Sequence, residues 1–99
     1  MLLSFIYNGI SFEAYTQEDA NKAGVPASVI AEAVNSAKWS EIRVMRDGLI
    51  RETDWVFFPD SPVSEDAKAL VSEYRQELRD IPQKFQNPDD VVWPPKPSI

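Results

Sequence analysis

Apolar side chains recur at three- and four-residue steps through Val29, Ile30, Ala33, Val34 and Ala37, and again through Ile42, Met45 and Leu49. That period is the stripe of an amphipathic helix. No other stretch commits so much of this 99-residue chain to one element. Pro26 suits the first turn, where its missing N–H has no intrahelical partner to lose. A helix is expected over residues 26–53, and Asn35–Ser40, where the stripe shifts phase, is where a break would fall. Gly48 inside it costs about 1 kcal/mol against alanine, which suggests a kink or a close helix approach. Asp47 and Arg51 are spaced to pair across one turn.

The segments on either side set the fold class. Leu2–Tyr7 and Ile10–Tyr15 flank Asn8-Gly9, the dipeptide best suited to a type I′ turn, so residues 1–15 read as a β-hairpin. Ile10, Phe12 and Ala14 are expected on one face of it. A short helix follows over 16–24, with Thr16 as its cap, acids in its first turn and Gly24 at its end. Past an aromatic, proline-bearing connection, Asp54–Pro62, Ser64 caps a last helix over 64–81. Leu70, Tyr74, Leu78 and Ile81 form its stripe, with Ala67 and Val71 beside it, and Ile81-Pro82 is expected to end it. Residues 87–99 close the chain with Val91-Val92-Trp93-Pro94-Pro95-Lys96-Pro97. Three prolines fix φ and remove donors, so this is a stiff extended strap. The whole reads as one small α+β domain: a hairpin packed on an antiparallel helix pair, a short extra helix, and the strap returning across the pair.

Composition removes several function classes. With no cysteine and no histidine, the chain lacks thiolate chemistry, the commonest general base and the commonest metal ligand. Only three glycines are present, so no phosphate-cradling loop is expected. The net charge of −6 is spread along the chain with no basic stripe, which argues against nucleic acid as a partner. Asp89-Asp90 reads as a solvated turn and not a cation site. The start lacks the pattern of a signal peptide and no apolar run reaches membrane length. The expectation is a soluble, non-enzymatic protein without cofactor, metal or small-molecule substrate.

The aromatic residues outside the hairpin carry the site expectation. Tyr74 and Trp39 lie on or beside helical stripes and are expected in the core. Trp55, Phe57 and Phe58 crowd into one loop, where they either cap the two helices or leave an exposed apolar patch. Val92, Trp93 and Pro94 pose the same alternative. Arg75 and Arg79 share one helix face, as do Glu73 and Glu77. Like charges at that spacing invite partners on the neighbouring helix or across an interface; a solvated face is the plainer reading. The free edge of the hairpin is another surface able to accept or donate a strand.

Four blocks occur in order: Arg46-Asp47-Gly48-Leu49-Ile50-Arg51-Glu52-Thr53-Asp54-Trp55, Pro59-Asp60-Ser61-Pro62, Tyr74-Arg75-Gln76-Glu77-Leu78-Arg79-Asp80-Ile81-Pro82, and the strap from Val91 to Pro97. This succession resembles the phage tail assembly chaperone family of tailed bacteriophages and prophages, and related endings occur in tail fibre assembly proteins. It covers residues 46–97. Gly48 and Val71, the latter where members often carry tryptophan, depart from the pattern. The resemblance implies a chaperone in the host bacterial cytoplasm that transiently binds an unassembled tail or tail-fibre protein. The candidate partner-binding residues are Trp55, Phe57, Phe58, Tyr74, Arg75, Val92, Trp93 and Pro94, with Trp93 expected to dock on the Trp55/Tyr74 region. Two other readings stand beside it: an acidic phage protein that binds a host regulatory protein, and a minor structural tail component. Self-association and the identity of the client are left open at this level.

Overall fold

In the computed structural model, which describes residues 1–99, strands β1 (Leu3–Tyr7) and β2 (Ile10–Tyr15) form an antiparallel hairpin. Asn8 and Gly9 both hold positive φ, 51° and 74°, as a type I′ turn demands. Phe5 faces Phe12, Ile6 faces Ser11 and Tyr7 faces Ile10; the register then slips so that Leu3 faces Tyr15. Ala14, with φ of 56°, is the extra residue of this β-bulge. The bulge corrects the expected face. Strict alternation puts Ala14 in the row of Phe12, whereas the inserted residue brings Tyr15 there instead. The Phe12 ring lies 5.0 Å from Phe5 and 5.1 Å from Tyr15, spacings at which aromatic pairs attract.

Helix α1 (Gln17–Lys22) is capped at both ends by its own sequence. Thr16 Oγ1 accepts from the Asp19 N–H at 3.1 Å. At the other end the Gly24 N–H reaches Asn21 O and the Val25 N–H reaches Ala20 O, at 3.1 and 3.2 Å. That double bond is a Schellman motif, and Gly24 supplies its left-handed residue with φ of 82°. Ala20 and Val25, which the motif brings together, are both buried.

Helix α2 (Ala27–Arg51) is continuous. The phase shift at Asn35–Ser40 does not break it, because Asn-Ser-Ala-Lys-Trp-Ser contains neither proline nor glycine to interrupt the ladder. A Cβ added at Gly48 would meet nothing within 4 Å, so no close helix approach explains that glycine. Asp47 pairs with its neighbour Arg46, Oδ1 lying 3.1 Å from Nε, in place of the expected partner one turn on.

The backbone divides into two compact units, Met1–Glu41 and Ile42–Ile99, and α2 passes from the first into the second. In the first unit the buried residues are Leu3, Ala20, Val25 and Ala33. In the second, helix α3 (Glu65–Lys84) supplies Val71, Tyr74, Leu78 and Ile81 to the interior. Val71 replaces Leu70 at the head of the expected stripe. Leu70 is half exposed, and the buried row runs at steps of three, four and three. Ser64 caps α3 by accepting from the Ala67 N–H at 3.2 Å. The helix also outlasts its proline. Pro82 lies in the last turn, where it forfeits a single bond, and the Phe85 N–H still closes on Ile81 O at 3.1 Å. A 3-10 turn, Pro88–Asp90, precedes the strap, so the extended segment starts at Val91 and not at residue 87.

Two exchanges of small residues follow. Gly48→Ala adds helix propensity in open space and should stabilise the chain by about 1 kcal/mol. Ala14→Gly relieves a left-handed alanine and should add about 0.5 kcal/mol after the entropy of the new glycine is counted. Urea midpoints of the two variants and their double mutant check both values, and the effects should add because the sites share no partner.

Candidate functional site

The site grows from the end of α2. After Arg51 the chain tightens into a 3-10 turn, Asp54–Phe57, with the Thr53 N–H on Ile50 O and the Val56 N–H on Thr53 O, both at 3.1 Å. Thr53 is fully buried. Its Oγ1 donates to Ile50 O at 2.8 Å and accepts from Arg75 Nη1 at 3.0 Å. The same nitrogen donates to Ile50 O at 3.2 Å and to Asp54 Oδ1 at 2.8 Å. One guanidinium on α3 thus holds the C-terminal carbonyl of α2, the buried hydroxyl and the first acid of the turn. Its charge also suits the negative end of the α2 dipole.

This clamp fixes which way the turn presents its side chains. Val56 points inward and is fully buried, while Trp55, Phe57 and Phe58 are 42%, 42% and 55% exposed. The guanidinium of Arg75 stands 5.2 Å over the Phe57 ring, a cation–π contact that steadies the ring from one side. Of the two readings open for this loop, the exposed patch is the one observed. The inward role falls to Val56, which sequence reasoning passed over because a lone valine among three larger aromatics carries no periodic signal.

The eight candidates separate into two groups. Tyr74 is buried at 4% exposure, and Arg75 is committed to Ile50, Thr53 and Asp54; these two build the platform. Trp55, Phe57, Phe58 and Val92 are exposed, and Trp93 and Pro94 are half-buried. The strap lies along the last turns of α3. Val92, Trp93 and Pro94 line a cavity of about 150 Å³ with Glu77, Ile81 and Phe85. Trp93 thus borders the last turns of α3 on this side. Further along, Lys96 Nζ comes within 3.7 Å of a Glu52 carboxylate oxygen, which carries the strap back toward the C-terminal end of α2. No cluster of three or more His, Cys, Asp or Glu is placed to hold a metal ion, and no helix is long and apolar enough to cross a membrane.

Removing the clamp should be felt. Arg75→Met leaves buried Thr53 and the end of α2 short of a charged donor and should cost about 2 kcal/mol in urea unfolding. Asp54→Asn, whose carboxylate is half in water, should cost under about 1 kcal/mol. Burial holds the Tyr74 hydroxyl above its ordinary pKa of 10.0, and the nearby Glu52 carboxylate pushes it the same way. The folded chain therefore keeps this proton when the unfolded chain has lost it, and its stability falls as pH rises past about 10. An ultraviolet titration of the wild type against Tyr74→Phe should show the missing tyrosine ionising above the ordinary value, and Glu52→Gln should bring it partly down.

Comparison with known proteins falls on the same residues. The family model described as phage tail assembly chaperone protein matches residues 39–98. The solution structure of a protein from Chromobacterium violaceum is similar over 99% of this chain and 100% of that one, with a TM-score of 0.61 and 30% sequence identity. No curated protein gives a significant match. With a family match over more than half its length, the chain belongs to the phage tail assembly chaperone family.

Proposed function

We propose that this chain chaperones tail assembly in the host cytoplasm by transient, non-covalent binding of an unassembled tail protein through the aromatic face of its second unit. Family membership supports the assembly role and a partner among tail proteins. The observation that carries the binding site is the outward set Trp55, Phe57 and Phe58, held on a turn that buried Val56 and the Arg75 clamp keep rigid. Large rings presented on a fixed backbone lose little conformational entropy on binding, and such anchors dominate interface energetics. Subunits awaiting assembly expose apolar surface that must be covered and later released. Small aromatic patches fit that need better than a large permanent interface. Val92, Trp93 and Pro94 extend the surface along α3. The function calls for binding alone, with no bond made or broken.

The three rings are about half exposed and none belongs to the buried core, so replacing them leaves the core side chains in place. The triple variant Trp55→Ser, Phe57→Ser, Phe58→Ser should stay folded by circular dichroism, with a melting temperature lowered because the covered half of each ring is lost. Co-expressed with the tail proteins of its phage, it should fail to co-purify with the one that wild type retains. Retention of that protein by a folded triple variant, at wild-type yield, would remove the reason for naming this surface. Binding confined to host proteins would replace the tail-assembly reading with the host-regulator one.

A further inference from the structure

We infer that the first unit carries a second binding site, a groove beside the free edge of β1 that takes one extended, unpaired peptide segment bearing a basic residue. This rests on the assembly reading for the source of that segment, an unassembled tail protein, and on separate residues for the site.

The hairpin has two strands only, so β1 has a partner on one side. Tyr7 and Ile10 flank the two-residue turn, and Phe5 faces Phe12; in such a ladder these are the pairs that exchange hydrogen bonds. The backbone N–H and C=O groups of Ser4 and Ile6 therefore point away from β2. A cavity of about 460 Å³ lies on that side, lined by Ser4, Phe5 and Ile6 of β1 and by Val29, Glu32 and Ala33 of α2. Its size is that of a ligand pocket and not of a packing defect. β1 reads Leu-Ser-Phe-Ile-Tyr, without the lysine, proline or inward charge by which proteins protect an exposed edge. The Ile6 side chain, 73% exposed, adds apolar surface at the same place.

The groove also selects its occupant. It is bounded by β1 on one side and α2 on the other, so the unpaired groups of Ser4 and Ile6 are what an inserted backbone meets first. A second copy would bring its own excess of acids to an already acidic groove, and like charge disfavours it. Asn35 and Ser36 stand on the helical wall and offer side-chain partners to the far edge of an inserted backbone. Glu32 is the one charged residue of the lining, and the first unit holds five acids against two lysines. A lysine or arginine in the segment is favoured, and an acidic one is disfavoured. The recognition is β-augmentation: backbone bonds supply affinity, and side-chain chemistry supplies the choice.

The probe is a capped seven-residue peptide of alternating valine and threonine with one central lysine. Three controls accompany it: glutamate in place of the lysine, N-methylation of alternate amides, and the lysine peptide against Glu32→Lys. In amide-resolved NMR of the full chain, the lysine peptide should shift Ser4, Ile6 and residues of 29–36. The glutamate peptide should bind several-fold more weakly, the N-methylated one should not bind, and Glu32→Lys should reverse the charge preference. Glu32 is exposed on its helix, so that variant tests the site without threatening the fold. The triple aromatic variant should bind the peptide as wild type does, which separates this site from the aromatic face. No shift at Ser4 and Ile6, shifts confined to residues 42–99, or the same shifts appearing with protein concentration alone would each overturn the inference, the last by assigning the edge to a second copy.

Discussion

The second unit depends on one guanidinium. Arg75 makes three hydrogen bonds from a single nitrogen, to Ile50 O, Thr53 Oγ1 and Asp54 Oδ1. Each acceptor faces a different structural problem. Ile50 O lies in the last turn of α2, beyond the reach of intrahelical donors, and accepts from the Thr53 N–H, the Thr53 hydroxyl and Arg75 together. Thr53 is fully buried with a hydroxyl to satisfy. Asp54 opens a 3-10 turn whose first residue favours negative charge. Arginine brings a permanent charge on a long stem, and the two N–H bonds of Nη1 serve the three acceptors with one of them shared.

The aromatic face is a consequence of this clamp and not a separate feature. A tight turn with three residues per repeat sends every third side chain to one side, and with Val56 buried the neighbouring Trp55 and Phe57 must look outward. The exposed parts of the rings are apolar area that contributes nothing to the core. Holding them in water lowers the stability available from hydrophobic burial, and the polar clamp supplies order where apolar packing does not. Binding surfaces commonly show this pairing of a rigid base with an unfavourable exposed surface.

Much of the fold was legible because its signals are local. Asn8-Gly9 specified the turn, Thr16 and Ser64 the caps, Gly24 the end of α1, and spacing the two long helices. What escaped depended on atoms far apart in sequence or on small differences of phase. The bulge at Ala14 was hidden because alanine seldom holds a left-handed conformation, and no periodic count reveals one that does. Leu70 and Val71 are adjacent and both apolar, so only the packing of α3 decides which is buried. Pro82 misled because the rule against proline concerns helix interiors, and the last turn has little left to lose. Part of the site was legible as well: the crowded aromatics were visible, and their exposure was one of two open outcomes. The link between Thr53-Asp54 and Arg75 was not visible, since nothing in a single sequence pairs residues more than twenty positions apart.

The two units also differ in what their sequences must preserve. The family match starts at residue 39 and ends at 98, close to the bounds of the second unit, 42–99, whereas the structural likeness to the Chromobacterium violaceum protein spans nearly the whole chain. The clamp of the second unit joins one arginine to two side-chain acceptors, Thr53 and Asp54, and to one backbone carbonyl, so it asks for particular residues at three positions. The first unit is built from a hairpin ladder and small buried residues, Ala20, Val25 and Ala33, and many sequences satisfy those terms. A surface that binds through backbone groups needs even less from its side chains. The unit with the weaker sequence signature is thus the one whose proposed recognition asks for the least signature, and its strand edge can persist while its residues change.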